Sequence, residues 1–151
     1  DVNPDHLAVC RINVHGNPVI FKKFPIMTSG SSGQRSASIH RAVNAAVKLA
    51  QADPSSGLSA VPVISERLNF GCARTNLRYL PAKLSVKLSS FAYSAILKLV
   101  AVRCANLGLE TISVSPAYTS ILGQANYAAP YGVSTDLAAA RLDAAKTTKS
   151  R

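Results

Sequence analysis

Acidic residues are scarce in this chain of 151 residues: seven Asp and Glu stand against 17 Lys and Arg, leaving a formal net charge of +10 and an isoelectric point near 10. Such a field suits a polyanion, and nucleic acid is the commonest one, although a ribosomal or anionic-membrane partner would favour the same sign. Cysteine is almost as sparse. Cys10, Cys72 and Cys104 lie far apart with no C-x-x-C spacing, which excludes a self-contained zinc ribbon and a disulfide framework and leaves reduced thiols in a cytoplasmic protein as the expectation. No apolar run reaches the ~18 residues of a membrane span; "FAYSAILKLVAV" carries Lys98 in its middle and reads as a core helix. Internal repeats are absent too. The chain opens on Asp1 rather than Met, and the expectation is that Asp1 closes a strand whose earlier residues lie upstream.

What is present is a core-forming chain. The hydrophobic fraction of 48% argues for one globular domain and against disorder. "LAVCRINV" and "PVIFKKF" are β-rich runs around the turn "HGN", with Gly16 supplying the unusual dihedral. "MTSGSSGQRS" reads as a loop, after which Ile39, Ala42, Val43, Ala46, Val47 and Ala50 fall at helical spacing. "ADPSSGLSA" breaks that helix, and "VPVIS" is a short strand ending at Glu66. From Arg67 to Leu109 there is no acid at all. The first half of that run reads as a basic loop and the second as a long helix with a stripe of Leu88, Ala92, Ala95, Leu99 and Val102. "ETISV" is the next strand, "ILGQANYAA" a helix stopped by Pro130, and Ser134 the N-cap of a closing helix "TDLAAARLDAAK". The order predicts an α/β fold, a mixed sheet covered by helices, spanning residues 1–146 with a basic tail at 147–151.

With so few acids, their positions carry information. Asp1 precedes the hairpin, Glu66 ends the central strand, and Asp136 lies in the first turn of the last helix. Strand ends and helix starts converge at a sheet edge, and converging carboxylates make sense around divalent cations, such as two Mg²⁺ ions ~4 Å apart acting on a phosphodiester. Each acid also has an ordinary role open to it. Asp136 would favour a helix dipole, Glu66 would pair with Arg67 or Arg74, and Asp1 would be a frayed end. Asp5, Asp53, Glu110 and Asp143 read as solvent-facing or turn residues. His6, His15 and His40 share no metal-ligand spacing and read as turn or surface histidines.

"DVNPDHLAV" with "HGNPV" resembles the first motif of the RuvC-like nuclease domain in TnpB-type transposon proteins. "VPVISERLNF" is similar to the second, in which a strand delivers Glu. The run from "FAYSAILKLV" to "YGVSTDLAAA" resembles the third region, its P-A-Y-T-S core and D-x-A-A-A run being the most specific parts. The likeness covers nearly the whole chain, in the family's order. "ILGQANYAAPYGVS" stands where many relatives carry a four-cysteine zinc ribbon, so the likeness is to a subgroup lacking it. The resemblance implies an RNase H-like fold and an Mg²⁺ site held by Asp1, Glu66 and Asp136 as catalytic ligands. It further implies RNA-guided DNA cleavage, with DNA and a guide RNA as partners and neither a membrane nor a small-molecule cofactor involved. Arg67, Arg74, Arg78, Lys83 and Lys87 are the candidate backbone contacts. The alternative functions are a catalytically silent RNase H-like nucleic-acid-binding module from a decayed mobile element, and a basic structural protein of a ribonucleoprotein.

Overall fold

In the computed structural model, residues 1–67 and 90–148 are described. Arg74, Arg78, Lys83, Lys87 and Leu88 lie outside them, as does the tail from residue 149. The protein is mixed α/β. Strands β1 (His6–Ile12) and β2 (Pro18–Pro25) form an antiparallel hairpin. Its turn is closed by Asn13, whose Oδ1 accepts from the N–H of His15 (3.0 Å) and Asn17 (2.9 Å), while Gly16 takes a φ of +79° that a side chain would resist. Helix α1 follows (Ser32–Lys48), then β3 (Val63–Glu66), α2 (Ser90–Asn106) and β4 (Thr111–Val114). The last third of the chain is helical: α3 (Thr119–Gly123), a π-helical turn (Gln124–Ala128), α4 (Ala129–Tyr131) and α5 (Thr135–Thr148).

Four expectations are corrected. Helix α1 begins inside the Gly/Ser run rather than after it, because Ser31 and Gln34 form a capping box: Ser31 Oγ accepts from the Gln34 N–H (3.2 Å), and Gln34 Oε1 from the Ser31 N–H (2.9 Å). Pro130 does not stop the preceding helix. The wide π turn ahead of it leaves room for a ring that would clash in a regular helix, and the stop is Gly132 at φ +60°. The buried stripe of α2 is also displaced: Ile96 and Cys104 are buried while Ala95 and Val102 are exposed. That helix is apolar on more than one face, so periodicity alone does not choose the face that packs. Finally, in place of the single mixed sheet, the described residues form two separate two-stranded sheets, β1–β2 antiparallel and β3–β4 parallel.

The core joins Leu7 of β1 and Ile26 to Ala42, Val43 and Val47 of α1 and to Ile96 and Cys104 of α2. Arg11 is buried at its edge. Its guanidinium donates to the carbonyls of Leu49, Gln51 (3.0 Å) and Ser59 (2.5 Å), taking up oxygens that the end of α1 and the following turn leave without helical partners. Helix α5 packs across β1 and against α3, with Ala138, Ala139 and Ala140 all buried. Their smallness lets the α3 backbone close in: a Cβ added to Gly123 would stand 2.8 Å from the Ala139 nitrogen. Among the described residues no helix is long and apolar enough to cross a membrane.

Candidate functional site

The parallel pair β3–β4 delivers Glu66 at its end, in register with Val114. Helix α5 carries two acids seven residues apart, Asp136 and Asp143, which therefore lie on one face about 10 Å apart along the axis. Asp1 completes the neighbourhood, held to β1 by a reciprocal pair of bonds with Ala8 (2.9 Å each). Its carboxylate accepts from Asn3 Nδ2 at 3.0 Å. These charges act on one another. Burial pulls the Asp1 ammonium below its ordinary value, while the carboxylates of Asp143, Glu66 and Asp136 act in the opposite direction.

Asp136 is already engaged by side chains of the β1–β2 hairpin. Its Oδ2 accepts from Lys23 Nζ at 2.7 Å and lies 3.2 Å from His6 Nε2, the first of these contacts doing most to hold the carboxyl below its usual range. His6 is thus neither a turn nor a free surface residue. It sits in β1 with its ring between Asp5 (2.7 Å) and Asp136. Asp143 reverses the expectation of solvent exposure, because its side chain is only 4% exposed. Burial, and then repulsion from Glu66, push its carboxyl up to about 6, against the opposing pull of the Asp1 ammonium and Lys146. Sequence reasoning missed Asp143. The signal that would have found it is the seven-residue spacing from Asp136 inside an alanine-rich stripe, which puts both acids on the packed face of α5.

Lys146 connects this face to the P-A-Y-T-S loop. Its Nζ donates to the Ser115 carbonyl and to Thr119 Oγ1 (2.6 Å each) and stands 3.4 Å from Asp143 Oδ1. Thr119 is buried and bonds the Pro116 carbonyl at 3.0 Å, whereas Tyr118 beside it is exposed and holds a left-handed φ of +60°. Of the basic candidates, Arg67 is exposed, with its backbone N–H joined to the Val114 carbonyl at 2.7 Å. The thiol of Cys10 is pushed up to about 12 by burial, so it stays protonated and inert.

Among the described residues no group of three His, Cys, Asp or Glu side chains is gathered as a metal ligand set. The donor chemistry of Glu66 and Asp143 nevertheless fits a hard divalent cation, since both are oxygen donors and their mutual repulsion is of the kind a cation relieves. Asp143 also has the proton affinity of a group that exchanges protons near neutrality. A scan against models of protein families, a search of curated proteins and a search of solved structures each returned no match for this chain.

Proposed function

We propose that the chain is the RuvC-like domain of a DNA endonuclease, with an RNase H-like fold and a Mg²⁺-dependent phosphodiester hydrolysis site built on Asp1, Glu66 and an acid from α5. The observation that carries the reading is that Glu66, at the end of the half-buried parallel strand β3, acts electrostatically on both the buried Asp143 and the Asp1 ammonium. A net charge of +10 supplies the field that would hold a polyanionic backbone beside these acids.

In this reading Asp1, Glu66 and either Asp136 or Asp143 would hold the cation. Bound Mg²⁺ would supply the Lewis acidity that activates water and stabilises the departing oxygen. The chain's own groups have separate tasks. Asp143 accepts a proton near neutrality, Lys146 keeps its carboxylate beside the P-A-Y-T-S loop, and Lys23 and His6 hold Asp136 by its Oδ2. Guide-RNA binding and transposon association are carried by the resemblance of the motifs alone. Asp136, already neutralised by Lys23, favours a second reading, a silent nucleic-acid-binding module.

The deciding experiment compares cleavage of single-stranded and duplex DNA in Mg²⁺ and in EDTA, with and without guide RNA, while Mg²⁺ binding is followed by calorimetry. Cleavage in Mg²⁺ that stops in EDTA and is lost in Glu66→Gln, with DNA binding intact, supports the nuclease. Asp136→Asn and Asp143→Asn then separate the two candidates on α5, because only a true ligand lowers both Mg²⁺ affinity and cutting. Equal cutting by Glu66→Gln would show the assigned site to be wrong. Tight DNA binding without cleavage under any of these conditions selects the silent module.

A further inference from the structure

The P-A-Y-T-S loop holds a tyrosine that the acid site leaves unused. Tyr118 has φ +60° and ψ 11° and is the one non-glycine residue with a positive φ among the described residues. A side chain in this left-handed region costs free energy that glycine avoids, because its Cβ crowds the backbone. Burial does not offset that cost, since Tyr118 is 72% exposed. The neighbouring tyrosines are engaged with other side chains. The centre of the Tyr131 ring lies 5.9 Å from that of Phe21 and 6.3 Å from that of Tyr127, and the Arg141 guanidinium covers Tyr127 at 4.7 Å. Among the described residues the Tyr118 ring has no such aromatic or cationic neighbour.

The backbone beneath the ring is fixed from several directions. The Thr119 N–H and Oγ1 both donate to the Pro116 carbonyl (3.3 and 3.0 Å), and the Ala117 N–H donates to Ser115 Oγ (3.3 Å). The Tyr118 carbonyl accepts from the Leu122 N–H at 2.9 Å. Lys146 Nζ grips both sides of the turn, at the Ser115 carbonyl and at Oγ1 of the buried Thr119 (2.6 Å each). A strained dihedral persists only where its surroundings over-determine it, and here the result is an aromatic ring on a rigid base. Ile121 and Leu122, both exposed, follow at the i+3 and i+4 positions on the same side of the helical turn. The three side chains form one apolar shelf in water.

Cations flank the loop that carries this shelf. Lys146 stands 3.4 Å from Asp143 Oδ1 while it holds the loop, and the exposed Arg67 bonds, through its N–H, the carbonyl of Val114 just before Ser115. A rigid ring beside such cations, on a chain of net charge +10, matches an unpaired nucleobase. The phosphates answer the charge, and the flat base lies on the ring. A duplex offers no equivalent, because its base faces are already covered by stacking within the helix. We propose that Tyr118 is a stacking platform for an unpaired base of a single-stranded nucleic acid, with Ile121 and Leu122 as the apolar floor beside it and Arg67 on the phosphates. The inference rests on the nucleic-acid binding that the nuclease and the silent module have in common, and not on cleavage.

The test follows binding of the full chain to a fluorescein-labelled oligothymidylate by anisotropy at fixed salt. An abasic strand of equal length, which keeps the phosphates and lacks the bases, is measured beside it. Tyr118→Ala is expected to weaken oligothymidylate binding about 5–100-fold, the range for losing one stacked base, and to leave binding of the abasic strand unchanged. Tyr118→Phe keeps the ring and should bind as the unaltered chain does. Tyr118→Gly should bind as weakly as the alanine variant yet melt no lower than the unaltered chain, because glycine takes a φ of +60° without strain. Undiminished oligothymidylate binding by Tyr118→Ala would overturn the platform, assign the shelf to a partner protein and leave the nucleic-acid reading standing. Equal weakening for both strands would also overturn it, as would a marked drop in the melting midpoint of Tyr118→Gly, since either result makes the tyrosine structural. Failure of the unaltered chain to bind either strand would overturn the nucleic-acid reading and the platform with it.

Discussion

Asp143 and Arg11 are two buried charged residues whose surroundings treat charge in opposite ways. Below pH ~4 the Asp143 carboxyl is protonated whether the chain is folded or unfolded. Between there and about 6 the folded protein keeps a proton that the unfolded chain has released. Stability should therefore fall as pH rises through that window and be flat above it, the decrease being on the order of 2 kcal/mol. Asp143→Asn should remove this slope and be the more stable protein at pH 7, as urea melts at pH 4, 5, 6 and 7 would show. Arg11 behaves in the opposite way, since its charge is answered by carbonyls. Arg11→Met should cost about 2–4 kcal/mol by the same melts, because it leaves acceptors buried and unmatched. Arg11→Lys should not restore it, because one ammonium cannot reproduce the guanidinium fork.

Between elements, the tightest approach is α3 on α5. Gly→Ala in an ordinary helix stabilises by roughly 0.5–1 kcal/mol. At Gly123 the added Cβ would stand within 2.9 Å of the Ala138 carbonyl oxygen and carbon. The clash is with backbone, so the helices must separate, and overpacking of this kind costs about 1–3 kcal/mol. A net destabilisation of about 1–2 kcal/mol for Gly123→Ala is expected from denaturant melts, and Ala139→Leu should be worse. The D-x-A-A-A run thus has a packing reason that holds whatever Asp136 does. By contrast the Lys23–Asp136 bridge, which links β2 to α5 across a partly exposed surface, is expected to contribute only about 0.2–1 kcal/mol. Lys23→Ala is accordingly a useful probe of Asp136, since it removes the shorter of the two contacts on Oδ2 and leaves that to His6, with little cost to the fold.

For the whole molecule the controlling quantity is charge. The acid-free run from Arg67 to Leu109 concentrates the positive field. Binding to duplex DNA should weaken steeply with salt, and replacing Arg74, Arg78 and Lys83 together with alanine should flatten the log–log slope by about 0.9 for each phosphate that is no longer neutralised. Fluorescence anisotropy over a range of salt concentrations measures this, and an unchanged slope would mark that stretch as ordinary solvated surface. The contrast between an exposed Arg67 and a buried Arg11 shows why net charge alone does not locate a binding surface.

Local composition was enough to establish the hairpin with Gly16 at its turn, the strands ending at Glu66 and Val114, and a closing helix that starts after Ser134. Those features depend on neighbours a few residues apart: turn dihedrals, β-rich runs and caps. The S-x-x-Q capping box that starts α1 at Ser32 is a local signal too, but it lies inside the Gly/Ser run that composition assigns to a loop. The face α2 buries, the passage of a helix through Pro130, and the division of the strands into two pairs were decided by packing between distant segments. The acids divide in the same way. Their scarcity, and the positions of Asp1, Glu66 and Asp136 near element ends, could be read along the chain. That Lys23 would cross from β2 to neutralise Asp136, and that Asp143 would be buried in the field of Glu66, required the folded arrangement. A carboxylate's charge state depends on the water and charges around it, and only tertiary structure brings those together.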